Sequence, residues 1–179
     1  QFSQALDSLI EQGMEALVID IRNNPGGILN TVVAMLDELL PEGTIVSVKD
    51  RNGTAQEYTS DADTKLMVPL TVLINGNSAS ASEIFAGAIK DYGVGTLVGT
   101  TTYGKGIVQT AFSLSDGTGV KITIEDYYLP SGKSIHKVGV DPDVEIDLPD
   151  ELKTYVTIPE DEDVQLQKAI EILKEQLQK

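Results

Sequence analysis

Ser78, Ser80 and Ser82 alternate with alanine where a short apolar run gives way to a helical pattern, and they are the chain's best-placed nucleophile candidates. Ser80-x-x-Glu83 has the spacing of a capping box, in which serine and glutamate satisfy free main-chain groups at a helix start. That role needs no catalysis. The same place also suits a nucleophile, because the free N–H groups and the helix dipole stabilise negative charge developing on a substrate carbonyl. Local chemistry does not choose among the three serines.

A serine nucleophile needs a base. The only histidine, His136, lies in the polar, loop-like run Ser131 to Lys137 and reads as a surface residue. A lysine can replace histidine where burial disfavours the ammonium form. Lys105 sits among glycines in Gly99-Thr-Thr-Thr-Tyr-Gly104-Lys105-Gly106, between two apolar strand patterns where packing around the amine is expected. The other lysines occupy charged or turn segments. This run nearly matches the phosphate-binding loop, Gly-x4-Gly-Lys-Ser/Thr, so nucleotide binding is a rival reading. Two features oppose it: Gly106 replaces the hydroxyl residue that would meet magnesium, and Ile107 to Leu114 reads as a strand where a phosphate loop opens a helix. A third feature is Asn24-Pro25-Gly26-Gly27, a tight turn in any case, whose glycines also permit a main-chain N–H to face an oxyanion.

Composition narrows the classes further. The 179 residues hold no cysteine, which excludes disulfides, a thiolate nucleophile and a cysteine-based zinc site. One histidine excludes a multi-histidine metal centre. The formal charge of −15 sets the long-range field against a nucleic acid partner.

Strand and helix patterns alternate along the chain. Leu6, Leu9 and Ile10 have helical spacing; Ala16 to Ile21 reads as a buried strand, and Leu29 to Leu40 as a helix stopped by Pro41. Thr44 to Val48 and Ala55 to Thr59 flank Asn52-Gly53, a hairpin signal. Leu70 to Ile74 is a second buried strand, followed by a small-residue helix from about Ser80 to Tyr92 that closes at Gly93. Thr96 to Val98 is a third. Ile107 to Leu114 and Val120 to Tyr128 alternate across a glycine-rich turn, Val144 to Ile146 is a last short strand, and Leu166, Ala169, Ile170, Leu173 and Leu177 stripe a charged C-terminal helix. The alternation predicts an α/β fold with a partly parallel sheet.

Taken together, Asp20-Ile-Arg-Asn-Asn-Pro-Gly-Gly27, Asn77-Ser-Ala-Ser-Ala-Ser-Glu83, Gly99-Thr-Thr-Thr-Tyr-Gly-Lys-Gly-Ile-Val-Gln109, Tyr127-Tyr-Leu-Pro-Ser-Gly-Lys-Ser-Ile135 and Gly139-Val-Asp-Pro-Asp143 resemble, in this order, the C-terminal processing (tail-specific) peptidases. The resemblance covers nearly the whole chain. It implies a Clp-protease/crotonase-like core, a mixed sheet flanked by helices. It also implies a serine endopeptidase with a Ser–Lys dyad that cleaves proteins near unstructured, apolar C-terminal tails and needs no metal or organic cofactor. By the same resemblance Ser80 is the nucleophile, Lys105 the general base, and Gln109 the residue that positions the lysine. Gly26 and Ala81 match the oxyanion-hole positions, and Asp91 an acidic supporting position. Relatives carry a PDZ domain upstream of the protease core and act outside the cytoplasm, in the periplasm, the cell envelope or as secreted proteins. Residues 1–150 are accordingly read as a protease core truncated at its N-terminus and lacking its PDZ domain, and residues 151–179 as a C-terminal extension with an amphipathic helix. Protein or peptide substrates are the expected partners, nucleic acid is not, and homo-oligomerisation is left open. The alternative is a non-catalytic ligand- or peptide-binding module of the same fold.

Overall fold

A computed structural model describes residues 1–155 and 157–178. Its strands divide by direction into two four-stranded sheets. The parallel sheet runs β1 (Leu17–Asp20), β4 (Leu70–Ile74), β5 (Thr96–Gly99) and β8 (Val144–Glu145) in spatial order β1-β4-β5-β8. The antiparallel sheet contains β2 (Gly43–Asp50), β3 (Ala55–Ser60), β6 (Ile107–Ser113) and β7 (Gly119–Tyr128) in the order β3-β2-β7-β6. Both hairpins expected from the sequence form, as β2–β3 and β6–β7. The pairing of β2 with β7 joins them into one sheet, and no local signal announces that contact.

Among the described residues four helices fill the space around the sheets: α1 (Phe2–Glu11), α2 (Leu29–Asp37), α3 (Ala81–Tyr92) and α4 (Val164–Leu177). Helix α3 touches β5 on one side and β2 on the other, and every residue from Ala81 to Ile89 is buried. Its small side chains permit this. At Gly87 an added Cβ would come within 2.3 Å of Leu129 Cδ2. The helix closes at Gly93 in the left-handed conformation, as the sequence predicts. Helix α2 ends at Asp37, three residues short of the expected Leu40, because the residue before Pro41 is pushed out of the helical region. Leu39 and Leu40 instead turn back, both donating their N–H groups to the Leu36 carbonyl, and are almost fully buried.

The main core joins Leu36, Leu40, Ile45, Phe85, Ile89 and their neighbours between the sheets. A second cluster lies on the other face of the parallel sheet, where Ala169 packs with Leu73 and Val98, flanked by Leu166 and Ile172. This explains why all five residues of β4 are buried: helices cover both of its faces. The contact stripe of α4 is rotated from the one read in the sequence. Leu166, Ala169 and Leu173 turn inward with Ile172, whereas Ile170 and Leu177 stay exposed.

Candidate active site

Parallel pairing of β1 with β4 aligns Asp20 with Leu73, so the loops leaving both strands emerge side by side. Ser78 stitches them together. Its hydroxyl donates to the Ile21 carbonyl at 2.8 Å and accepts the Asn75 N–H at 3.1 Å, and its side chain is fully buried. The Ala79 N–H adds a bond to the Asn24 carbonyl at 3.0 Å. Ser82 is also buried, inside the first turn of α3. Ser80 differs from both: it is half-buried and holds φ 58°, ψ −117°, a conformation that L-residues avoid. Such strain in a non-glycine residue at a strand-to-helix turn is a recurring mark of a functional position. The capping-box arrangement is present, but Ser80 Oγ makes no hydrogen bond of full geometry to the helix. The close bond is the reverse one, from the Ser80 N–H to Glu83 Oε2 at 2.9 Å.

Glu83 does far more than cap. It is completely buried, and its carboxylate accepts four hydrogen bonds. Besides the Ser80 N–H, these come from Thr102 Oγ1 (2.6 Å) and from the N–H groups of Gly104 (2.6 Å) and Lys105 (2.7 Å). Oxygen Oε2 therefore holds the main chains of Ser80 and Lys105 at once. Thr102 Oγ1 in turn accepts the Val140 N–H at 2.7 Å, extending the tie to the 139–143 segment. The lysine loop passes directly into β6, so the helix a phosphate loop requires is absent from this place. The nucleotide reading falls on that point.

Lys105 is half-buried, and among the described residues its Nζ forms neither an ion pair nor a hydrogen bond, including to Ser80 Oγ. It lines a cavity of about 500 Å³ with Asn23, Pro25, Asn77, Ala79 and Tyr103. On its other side it shares a cavity with His136. The histidine is thus not the plain surface residue expected: it is half-buried, and its Nδ1 is enclosed without a partner among the described residues. The close approach of its main chain to Gly106, 2.6 Å from an added Cβ, brings it there.

Gly26 packs directly on the serine turn. An added Cβ would lie 2.5 Å from the Ala79 carbonyl oxygen, 2.8 Å from Ala81 N and 2.9 Å from Ser80 Cβ. Its φ of 95° independently calls for glycine. Gly26, Ser80 and Ala81 are therefore brought together. The Ala81 N–H has no partner among the described residues, while the Gly26 N–H donates to Asn24 Oδ1 at 2.9 Å across Pro25. Beside these groups lies an apolar pocket of about 180 Å³, lined by Ile28, Val32, Met35 and Phe85.

Two expected site residues stand elsewhere. Gln109 is exposed on β6, beyond an irregularity in the pairing, and its amide donates to Thr123 Oγ1 at 3.3 Å rather than to the lysine. Asp91 sits near the end of α3, where its Oδ2 accepts the Ser131 N–H at 2.9 Å and braces that turn.

A cavity of about 570 Å³ opens at the ends of β1, β4 and β5, beside residues 147–155 and 157–166. Arg22 crosses it, bonded to Asp20 and, through both terminal nitrogens, to the carboxylate of Asp163, the N-cap of α4. Burial opposes the charge on Arg22, but the two carboxylates outweigh it and raise its pKa. Burial likewise opposes ionisation of Asp163, yet Arg22 and the main-chain donors of α4 hold its pKa below the ordinary value. Neither this ion pair nor the four-bonded Glu83 is evident in the sequence reading. The capping-box spacing marks Glu83, but not the loop it reaches.

The chain matches the family model described as peptidase family S41 over residues 1–146. It is 42% identical over 173 residues to a carboxyl-terminal-processing protease of Synechocystis, covering 97% of this chain and 40% of that protein. The chloroplastic C-terminal processing peptidase of Tetradesmus obliquus is 43% identical over 145 residues, which cover 80% of this chain and 31% of the relative. The solved photosystem II D1 C-terminal processing protease superposes with a TM-score of 0.75 at 41% identity, over 85% of this chain and 41% of that one. The chain thus spans less than half the length of the curated relatives it matches.

Proposed function

The chain belongs to peptidase family S41, with the fold of its protease core, and from this premise we propose that it is the catalytic part of a serine endopeptidase that cuts proteins near their C-terminal tails. Ser80 is the nucleophile and Lys105 the general base. The observation that carries this reading is the strained Ser80 at the start of α3, packed against Gly26 and tied through Glu83 to the Lys105 main chain.

In the proposed sequence, neutral Lys105 Nζ takes the Ser80 proton as Oγ bonds to the scissile carbonyl carbon. The oxyanion is held by the N–H groups of Ala81 and Gly26. When the tetrahedral adduct collapses, the C–N bond breaks and Lys105 returns the proton to the leaving amine. Water, activated by the same lysine, then attacks the acyl-Ser80 ester and frees the enzyme. The apolar pocket beside Gly26 receives the side chain on the acyl side. Two movements are required: Lys105 Nζ must come within reach of Ser80 Oγ, and the Gly26 N–H must exchange Asn24 for the oxyanion. Gln109 supports the lysine only once it leaves Thr123. A PDZ domain elsewhere in the full-length chain, action outside the cytoplasm and selection of apolar tails complete the proposal.

The test is cleavage of an unfolded protein with an apolar tail by full-length Ser80→Ala and Lys105→Ala. Both are expected to lose activity, and undiminished cleavage by either overturns the dyad. The occupied Gly26 N–H and the unpaired Lys105 favour one other reading, a peptide-binding module without catalysis. Failure of a serine-directed fluorophosphonate to label Ser80 would select it.

A further inference from the structure

Two cavities share Asn23 and Asn77 in their walls: the one lined by Lys105, and the cavity of about 570 Å³ beside residues 147–155 and 157–166. We propose that the larger cavity is the leaving-side subsite of the peptidase, binding the segment released with the new amino terminus and discriminating against acidic side chains there. This rests on the serine peptidase reading above.

Direction comes from the chemistry. The base that accepts the serine proton returns it to the leaving nitrogen, so the departing segment must pass Lys105. The apolar pocket lies instead against Gly26 and Ala81, on the acyl side. The Lys105 cavity and the larger one share Asn23 and Asn77 in their walls, so a segment passing Lys105 reaches the larger cavity over these two residues.

The asparagines form a fixed group. Asn23 Oδ1 accepts from Asn75 Nδ2 (3.0 Å) and Asn77 Nδ2 (2.9 Å), while Asn75 Oδ1 accepts the N–H groups of Asn23 (2.9 Å) and Asn77 (3.1 Å). These bonds set the orientation of all three amides. They leave Asn23 Nδ2 and Asn77 Oδ1 without partners among the described residues, one donor and one acceptor on exposed side chains. That pair complements the C=O and N–H of a peptide unit.

Charge sets the preference beyond this point. The cavity is lined by three carboxylates, Asp20, Asp147 and Asp163, and by two cations. Each cation is already paired with two carboxylates: Arg22 with Asp20 and Asp163, Lys153 with Asp147 and Asp150. Among the described residues no free positive charge remains there for a glutamate, an aspartate or a terminal carboxylate, whereas Leu148, Leu152 and Leu166 offer apolar surface. Neutral and basic side chains are accepted there.

The experiment measures how the acyl-enzyme partitions between water and added amines. Full-length enzyme is acylated by a peptide ester that has no leaving-side peptide. Leu-Lys-amide, Leu-Leu-amide or Leu-Glu-amide is then added, and the ratio of transfer to hydrolysis is read. That ratio does not depend on how fast acylation occurs. The lysine and leucine nucleophiles are expected to intercept the acyl-enzyme about fivefold better than the glutamate one, the size of one partly exposed charge interaction. Asp147→Lys should bring the lysine-to-glutamate ratio to about one, and Asn77→Ala should lower transfer to all three by about threefold, one neutral hydrogen bond. Equal interception by Lys and Glu nucleophiles in the parent enzyme, or an unchanged ratio in Asp147→Lys, overturns the subsite while leaving the peptidase intact. Unchanged transfer in Asn77→Ala overturns the main-chain contact. Absence of any acyl-Ser80 by mass spectrometry overturns the peptidase reading itself.

Discussion

Replacing Glu83 tests how firmly the serine turn and the lysine loop are held together. In Glu83→Ala, four donors that share one buried carboxylate lose their acceptor: Ser80 N–H, Thr102 Oγ1, Gly104 N–H and Lys105 N–H. Each stranded donor costs about 1–3 kcal/mol, and losing a buried, fully bonded charge costs about 3–5 kcal/mol in practice because water and relaxation recover part of the sum. Glu83→Gln is the finer probe. Its single oxygen can keep Ser80 and Lys105, while its NH₂ can face the Thr102 hydroxyl, which is able to accept. Gly104 N–H then faces a donor and the Thr102 O–H loses its acceptor, so the expected loss is about 3 kcal/mol, or about 6–12 °C in Tm for a domain of this size. Urea unfolding gives the first number and thermal denaturation the second. In the folded fraction of Glu83→Gln, kcat/KM on a peptide substrate should fall by about a hundredfold, because a shift on the order of 1 Å between nucleophile and base has that effect. Stability within about 1 kcal/mol of the parent for Glu83→Ala would refute the reasoning: the two loops would then be held by something other than this carboxylate.

Three further outcomes are expected. Gly26→Ala places a Cβ 2.5–2.9 Å from three atoms of the serine turn, so peptide turnover should drop by about 100- to 1000-fold while circular dichroism shows a folded chain; a loss under tenfold would detach Gly26 from the oxyanion. Ser80→Gly should unfold at higher urea than Ser80→Ala, by about 1–3 kcal/mol, because only glycine adopts φ 58°, ψ −117° without strain; equal midpoints would mean that the turn stores no strain. Asp163 has a carboxyl pKa lowered in the folded state, where its bond to Arg22 overcomes burial, so its contribution is present above the ordinary value of 3.8 and fades as pH falls through the lower folded value. Urea midpoints measured from about pH 5 down to about pH 2 should therefore fall less steeply in Asp163→Asn than in the parent, and identical slopes would deny the linkage.

Much of this arrangement is legible one segment at a time. The apolar run Leu70 to Ile74, the small-residue helix after it and the glycine at its end are local signals, and the structure has them within a residue. The Asn52-Gly53 hairpin and the strand that follows Lys105 are equally local, and the latter removes the phosphate-loop reading. The joint order of the glycine, serine and lysine motifs marks the family, in agreement with the S41 match over residues 1–146. Other features depend on residues far apart in the chain. His136 reads as a surface residue because its own segment is polar, yet Gly106 draws its main chain to the lysine loop. The stripe on α4 reads through Ile170, but the sheet it covers selects Ile172.

The kinds of element, the chemical types of the candidate groups and their order are legible before any fold is known, because helix periodicity, turn residues and side-chain chemistry are properties of a few neighbouring residues. The resemblance already points to Ser80 among the three serines, and tertiary packing gives each a different setting: burial and the bond to Ile21 make Ser78 a stitch, burial encloses Ser82, and Ser80 is strained and half-buried. Only the tertiary structure decided that Glu83 spans from the serine to the lysine loop, and that Arg22 pairs with Asp163 across 141 residues. Those contacts follow from how β1, β4 and β5 lie side by side and where α4 packs on them, a matter of long-range packing with no trace in local spacing.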